Sequence, residues 1–298
     1  MADNNLDFLR GSYTPLVVPF RDGEVDFEDY ARLCEWQIEN GANGLLTNAT
    51  SGEPTTLTVE ERYRLAGVAV EVSGGRVPVC VGTASESHAQ TVEMIRRYNE
   101  LQPDAIVVVT PFYCKPPDRA MVDYFVDVMA RTDLPVMIYH IPGRAGVRLS
   151  VDTVAAIRDR SPNFAGLKNT DESTGLVTGI LSRFPEMKIF SGMEQPTLAM
   201  LALGVSGAMI SVSNVIPDRV AEMCRLFASG DIAGARKLND AMSEIFASIG
   251  YDTPPVTTKY MVRRRGVISR NEHRLPMAPL TPELEKRLDG VLERAGLL

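Results

Sequence analysis

Six lysines stand in the chain, at positions 115, 168, 188, 237, 259 and 286, and only Lys168 directly follows a short apolar run, residues 164–167, of the kind that forms a buried strand. An ammonium buried there loses solvation, which lowers its pKa and frees the amine to attack a carbonyl carbon. Paired with a carboxylate such as Glu53, the same lysine is instead a structural cation, and position alone does not separate the two. Tyr139 closes the preceding apolar run and is the natural proton shuttle beside such an amine, because imine formation and carbon-carbon bond chemistry both move protons on oxygens. The alternative for Tyr139 is a core aromatic whose hydroxyl is satisfied by backbone. Thr50 and Ser51, beside Gly52, offer hydroxyls and backbone N–H groups to a carboxylate, although Thr-Ser-Gly is also ordinary turn chemistry. Arg144, in the segment Pro142-Gly143-Arg144-Ala145-Gly146, has the fork that grips a carboxylate at two points, or is an exposed loop arginine.

Other chemistries are poorly supplied. His88, His140 and His273 show no metal-ligand spacing, so no metal and no zinc-dependent aldol reaction is expected. There is no GxGxxG after a strand, no P-loop and no GxSxG elbow, so no cofactor is expected either. With 31 basic and 38 acidic residues, the formal charge of -7 gives no footprint for nucleic acid or an anionic membrane. The one basic run, Arg263-Arg264-Arg265, reads as a solvated face or a subunit contact. Cys34, Cys80, Cys114 and Cys224 form no CxxC pair, and a chain of 298 residues with 45% hydrophobic content builds its core without disulfides. No apolar run reaches membrane-spanning length. The polar residues 1–5 lack the pattern of a secretory leader, and a cytoplasmic location is expected.

Such residues need a frame. Apolar, β-branched runs recur at residues 16–19, 44–46, 77–81, 105–109, 136–139, 164–167, 187–190 and 208–212, separated by longer segments with helical patterning. Eight βα units predict an α/β chain, a (β/α)8 TIM barrel over residues 1–228, followed by a helical C-terminal extension over residues 229–298; a doubly wound open sheet is the alternative. Phe27, Tyr30, Leu33, Cys34 and Ile38 share one helix face that stops at Asn40-Gly41. Thr58 and Glu61 form a capping box, and Ser85 and Asp152 are expected to open later helices. Helices are also expected over residues 232–249, 258–265 and 282–298. In such a barrel the site lies at the C-terminal ends of the strands, where Thr50, Ser51, Thr110, Tyr113, Tyr139, Lys168, Ser191 and Ser211 fall.

The segments Thr50-Ser51-Gly52-Glu53, Thr110-Pro111-Phe112-Tyr113, Tyr139-His140-Ile141-Pro142, Gly166-Leu167-Lys168, Ser191-Gly192 and Arg274-Leu275-Pro276-Met277 stand in the order and spacing of a known family. Over essentially its whole length the sequence resembles the dihydrodipicolinate synthase and N-acetylneuraminate lyase family of class I, pyruvate-dependent aldolases. The resemblance implies that Lys168 forms a Schiff base with pyruvate and that Tyr139, hydrogen-bonded to Thr50, is the general acid and base. It also implies that Tyr113 completes the relay from a neighbouring subunit, that Ser51 holds the pyruvate carboxylate, and that Arg144 binds the carboxylate end of the aldehyde. Gly192 and Met209 are implied as further substrate contacts, and a homotetramer built as a dimer of dimers as the assembly. The expected partners are thus small molecules, pyruvate and an aldehyde, with aspartate semialdehyde foremost. A neuraminate-type or 2-keto-3-deoxy sugar acid aldolase or dehydratase is the alternative enzyme, and a 2-oxo acid sensor the alternative outside catalysis. This chain departs from the family's common pattern at Ser51, Phe112 and His140. Glu86 and Gln90 stand where lysine-inhibited members carry Asn and Glu, so feedback by lysine is expected to be weak or absent.

Overall fold

The computed structural model describes residues 6–83 and 85–298, and the polar segment at residues 1–5 lies outside the described residues. Eight parallel strands close into a barrel: β1 (Gly11–Pro15), β2 (Gly44–Thr47), β3 (Val79–Thr83), β4 (Ala105–Val109), β5 (Val136–His140), β6 (Phe164–Asn169), β7 (Lys188–Ser191) and β8 (Gly207–Ala208). Each pairs with its sequence neighbour, and β1 pairs with both β2 and β8, so no strand edge is left open. Near-continuous apolar strands such as Ala105–Val109 follow from burial on both faces, against the barrel interior and against the surrounding helices.

Helices α1 (Phe27–Glu39), α2 (Val59–Ser73), α3 (His88–Leu101), α4 (Asp118–Met129), α5 (Pro142–Ala145), α6 (Val151–Arg158), α7 (Thr174–Arg183), α8 (Thr197–Ala202) and α9 (Pro217–Ala228) follow the strands in turn. Beyond them α10 (Ile232–Ser248), α11 (Pro254–Arg264) and α12 (Pro282–Arg294) form the helical extension, with α11 packed against the turn that follows β2. The Thr58 and Glu61 capping box opens α2 as expected.

Several expectations are corrected. The first strand is not residues 16–19 but Gly11–Pro15, whose buried Ser12 and Thr14 disguise it; Thr14 satisfies its hydroxyl on Gln37 at 2.8 Å. The eighth strand is the dipeptide Gly207–Ala208, and most of residues 208–212 lead into a 3-10 turn, Ser211–Asn214. Ser87, not Ser85, caps α3, and Ser150, not Asp152, caps α6, each hydroxyl accepting a backbone N–H three residues on. The expected helix over residues 258–265 starts earlier, at Pro254 and Pro255, where a missing N–H costs nothing. The basic run is only partly a solvated face, since Arg264 pairs with Asp289 at 2.6 Å and Arg265 donates to Val215 O at 2.5 Å. A two-stranded hairpin, Phe20–Arg21 with Glu24–Val25, was not anticipated, although Asp22-Gly23 is a turn signal.

Candidate active site

A bulge decides which way Lys168 points. Val136 on β5 pairs with Phe164 on β6, but Met137 pairs with Gly166, so β6 carries one extra residue at this place. Ala165 belongs to the interior cluster and Leu167 to the outer core, and the extra residue turns the next side chain inward. A one-residue slip in a strand sends every later side chain to the opposite face, so without the bulge Lys168 would face the helices. Gly166 makes the bulge feasible: its φ is 154°, and a Cβ there would stand 1.7 Å from Lys188 O.

Lys168 thereby comes level with Tyr139 across the β5 and β6 pair. Both are buried, at 3% and 6% exposed, and Lys168 Nζ lies 4.2 Å from the centroid of the Tyr139 ring. Lys168 makes no ion pair among the described residues, because Glu53 is bound instead to Lys259 at 2.5 Å; the pairing of Lys168 with Glu53 is excluded. Tyr139 OH meets Thr50 Oγ1 at 3.2 Å, and Ser51 Oγ meets Ser211 Oγ at 2.9 Å. The floor beneath Lys168 is kept open by Gly192, where a Cβ would lie 2.2 Å from Thr170 Oγ1 and 3.3 Å from Lys168 Cε. Met209 is fully buried in the same interior cluster as Tyr139.

A cavity of about 220 Å³ opens beside Thr50, lined also by Phe112, Ile141, Arg144, Thr253 and Met277 among others. Arg144 is exposed on the short helix α5 and brings a guanidinium to the mouth. Tyr113 is not brought to the site within one chain: it is 93% exposed, on a left-handed backbone with φ 68°. A larger cleft of about 370 Å³ lies outside the barrel wall, between Arg148, Asp171 and the starts of α6 and α7. Thr50, whose hydroxyl meets Tyr139, lines the smaller cavity and not this cleft, which makes the smaller cavity the candidate site.

His140 turns the other way from Tyr139, lining the outer cleft. Leu149 N donates to Nε2 at 3.3 Å, so Nδ1 carries the proton toward Asn169 Oδ1 at 2.8 Å. Burial lowers its pKa, and the Asn169 bond only partly offsets this, so the ring stays neutral at pH 7. The departure from the family pattern at His140 thus lies on the outer cleft, away from the cavity that Thr50 lines.

Glu194, missed in the sequence, follows Gly192 by two residues at the end of β7. Its Oε1 accepts Val212 N at 3.2 Å; burial raises its pKa, and the Lys168 charge pulls the other way without reversing it. Position at a strand end was the only signal for it. Ser211, partner of Ser51, was legible as a rim residue but not as a partner.

Comparison with known proteins supplies the remaining observation. Residues 8–295 match the model of the Dihydrodipicolinate synthetase family. A 4-hydroxy-tetrahydrodipicolinate synthase of Thermus thermophilus is 38% identical over 293 residues, 97% of either chain. One from Nitratidesulfovibrio vulgaris is 35% identical, covering 97% of this chain and 99% of its own. The crystal structure of dihydrodipicolinate synthase from Aquifex aeolicus superposes with a TM-score of 0.94 at 32% identity, over 97% of this chain and 98% of that one.

Proposed function

From the premise that the chain belongs to the dihydrodipicolinate synthetase family, we propose that it is a lyase of the class I aldolase type that condenses pyruvate with aspartate semialdehyde. The observation that carries the reading is a buried amine that makes no ion pair among the described residues, lying over a tyrosine ring whose hydroxyl is in turn bound to Thr50.

In this reading the Lys168 amine, once it has given up its ammonium proton, attacks C2 of pyruvate, and the carbonyl oxygen leaves as water after taking protons delivered through Tyr139 and Thr50. The imine withdraws electrons from C3, whose proton is removed to give an enamine. The enamine carbon adds to the aldehyde carbon, and the aldehyde oxygen takes up a proton. Water then releases the product from Lys168. Ser51 and its neighbouring backbone N–H groups hold the pyruvate carboxylate, and Gly192 and Met209 shape the space around it. Arg144 at the cavity mouth suits an aldehyde with a carboxylate at its far end, which favours aspartate semialdehyde over a neutral sugar aldehyde.

Tyr113 enters the relay from a partner subunit; its 93% exposure supports a role across an interface. The assembly is a homotetramer made of two such dimers, acting in the cytoplasm with no cofactor. No helix among the described residues is long and apolar enough to cross a membrane.

Initial rates with pyruvate and, in turn, aspartate semialdehyde, N-acetylmannosamine and short sugar-acid aldehydes test the assignment. Aspartate semialdehyde is expected to give the highest kcat/KM, with lysine added to the assay leaving the rate nearly unchanged. A preference for either sugar-derived aldehyde would move the chain to another branch of the family.

A further inference from the structure

Glu53 has no part in the chemistry above, yet its side chain is buried and charged. It ends the 3-10 turn Thr50–Gly52 with a left-handed backbone, φ 51° and ψ 45°, which is disfavoured for any residue with a Cβ. The neighbouring Gly52 serves a different need, since a Cβ there would meet Leu16 O at 3.1 Å. A glutamate thus stands where a glycine would be easier, and its side chain explains why. Glu53 Oε1 lies 2.5 Å from Lys259 Nζ on α11 and 3.4 Å from His273 Nδ1, and none of the three side chains is more than 1% exposed. Lys259 also donates to Glu272 O at 2.9 Å and sits 4.4 Å over the Phe20 ring. Glu53 Oε2 and His273 Nε2 are buried without a hydrogen-bond partner among the described residues.

The charges facing this cluster come from two further elements. Glu272 and Arg274 flank His273 in sequence, and Glu61 on α2 holds Arg274 at 2.7 Å. Burial pulls the Lys259 pKa down to about 8, against the attraction of Glu53. For Glu53, burial alone acts upward, but the His273 bond and the Lys259 charge outweigh it and hold the carboxyl below its usual value. The pair is charged at neutral pH, and as pH rises Lys259 is the member that discharges first.

We infer that Lys259 and His273, acting through Glu53, are positioning residues for the reaction: the C-terminal segment clamps the turn that carries Thr50 and Ser51, keeping their hydroxyls within reach of Tyr139 and Ser211. The inference rests on the functional reading above. It makes the helical extension part of the active site although it lends no reacting atom.

Steady-state kinetics of the full-length chain across pH 6 to 10, with pyruvate and aspartate semialdehyde, test it in three variants. Glu53→Gly relieves the left-handed backbone and removes the pair; kcat/KM is expected to fall about 100-fold, the scale of a small misplacement of reacting groups, with KM for pyruvate raised. Lys259→Met is expected to do the same. Lys259→Arg keeps a charge at every accessible pH, so it is expected to recover part of the activity and to lack the fall in rate that discharge of Lys259 is expected to cause in the wild type above about pH 8. Near wild-type kcat/KM in folded Glu53→Gly or Lys259→Met overturns the clamp, as does an unchanged alkaline limb in Lys259→Arg. Should one variant fail to fold, the others decide by the same criteria. Borohydride trapping of pyruvate on the wild type separates the two levels: no adduct there sinks the functional reading itself, whereas trapping with wild-type kinetics in the variants sinks only the clamp.

Discussion

The reactivity proposed for Lys168 follows from its surroundings: burial, an aromatic face 4.2 Å away and no ion pair among the described residues. The Tyr139 ring lies against it, and the bond of its hydroxyl to Thr50 is the proposed route for the proton. Replacing Tyr139 by Phe keeps the ring and removes the hydroxyl, so kcat is expected to drop by about 10² to 10⁴ while the fold is retained. Stopped-flow or steady-state rates check this, and a variant as fast as the wild type would remove Tyr139 from the relay. At this scale the sequence was informative because chemistry-bearing types are few: one lysine follows an apolar run, and one tyrosine ends the run before it. The partners of those residues were not legible. Glu53 seemed free to neutralise Lys168, but Lys259 lies more than 200 positions further on and only the packing of α11 brings the two together. Lys168 illustrates the other limit, since the face it takes depends on the bulge just before it in β6, which is not visible in a local pattern.

Among the elements, β6 matters most. Its bulge at Ala165 and Gly166 sets Lys168 inward, and Gly166 has no room for a Cβ against the Lys188 carbonyl. Gly166→Ala is therefore expected to cost about 3 kcal/mol or more of stability and to abolish imine formation even in the fraction that folds. Urea denaturation and pyruvate trapping measure the two effects, and a stable, active Gly166→Ala protein would refute the bulge argument. The elements that sequence patterning identified most sharply are the wholly apolar ones: residues 105–109 coincide with β4. Those it displaced carry buried polar residues. β1 sends Tyr13 into the barrel and buries Ser12 and Thr14 on its other face, and the apolar stretch beyond it attracted the assignment instead. Helix starts were misplaced wherever two capping residues compete within a few positions, as with Ser85 and Ser87.

For the whole molecule, the closed ring of strands gathers Thr50, Tyr139, Lys168 and Gly192 from four different βα units at one rim, and no subset of the chain assembles them. The eightfold alternation made this architecture legible, because a repeating pattern survives errors in single elements. The assembly is less legible from one chain: Tyr113 stands in solvent, and its proposed role requires a second copy. Subunits carrying Tyr113→Phe and subunits carrying Lys168→Ala, each nearly inactive alone, are expected to regain partial activity when mixed and allowed to exchange. Mixed dimers verified by native mass spectrometry that remain inactive would place Tyr113 outside the site.

The central claim is that the Lys168 amine forms a covalent imine with a 2-oxo acid. Reduction of the protein with borohydride in the presence of pyruvate, followed by intact mass and peptide mapping, addresses it directly. The account predicts one added reduced pyruvyl group per chain, located on the peptide containing Lys168 and absent from Lys168→Ala. An unmodified wild-type protein, or an adduct on another lysine, would contradict it.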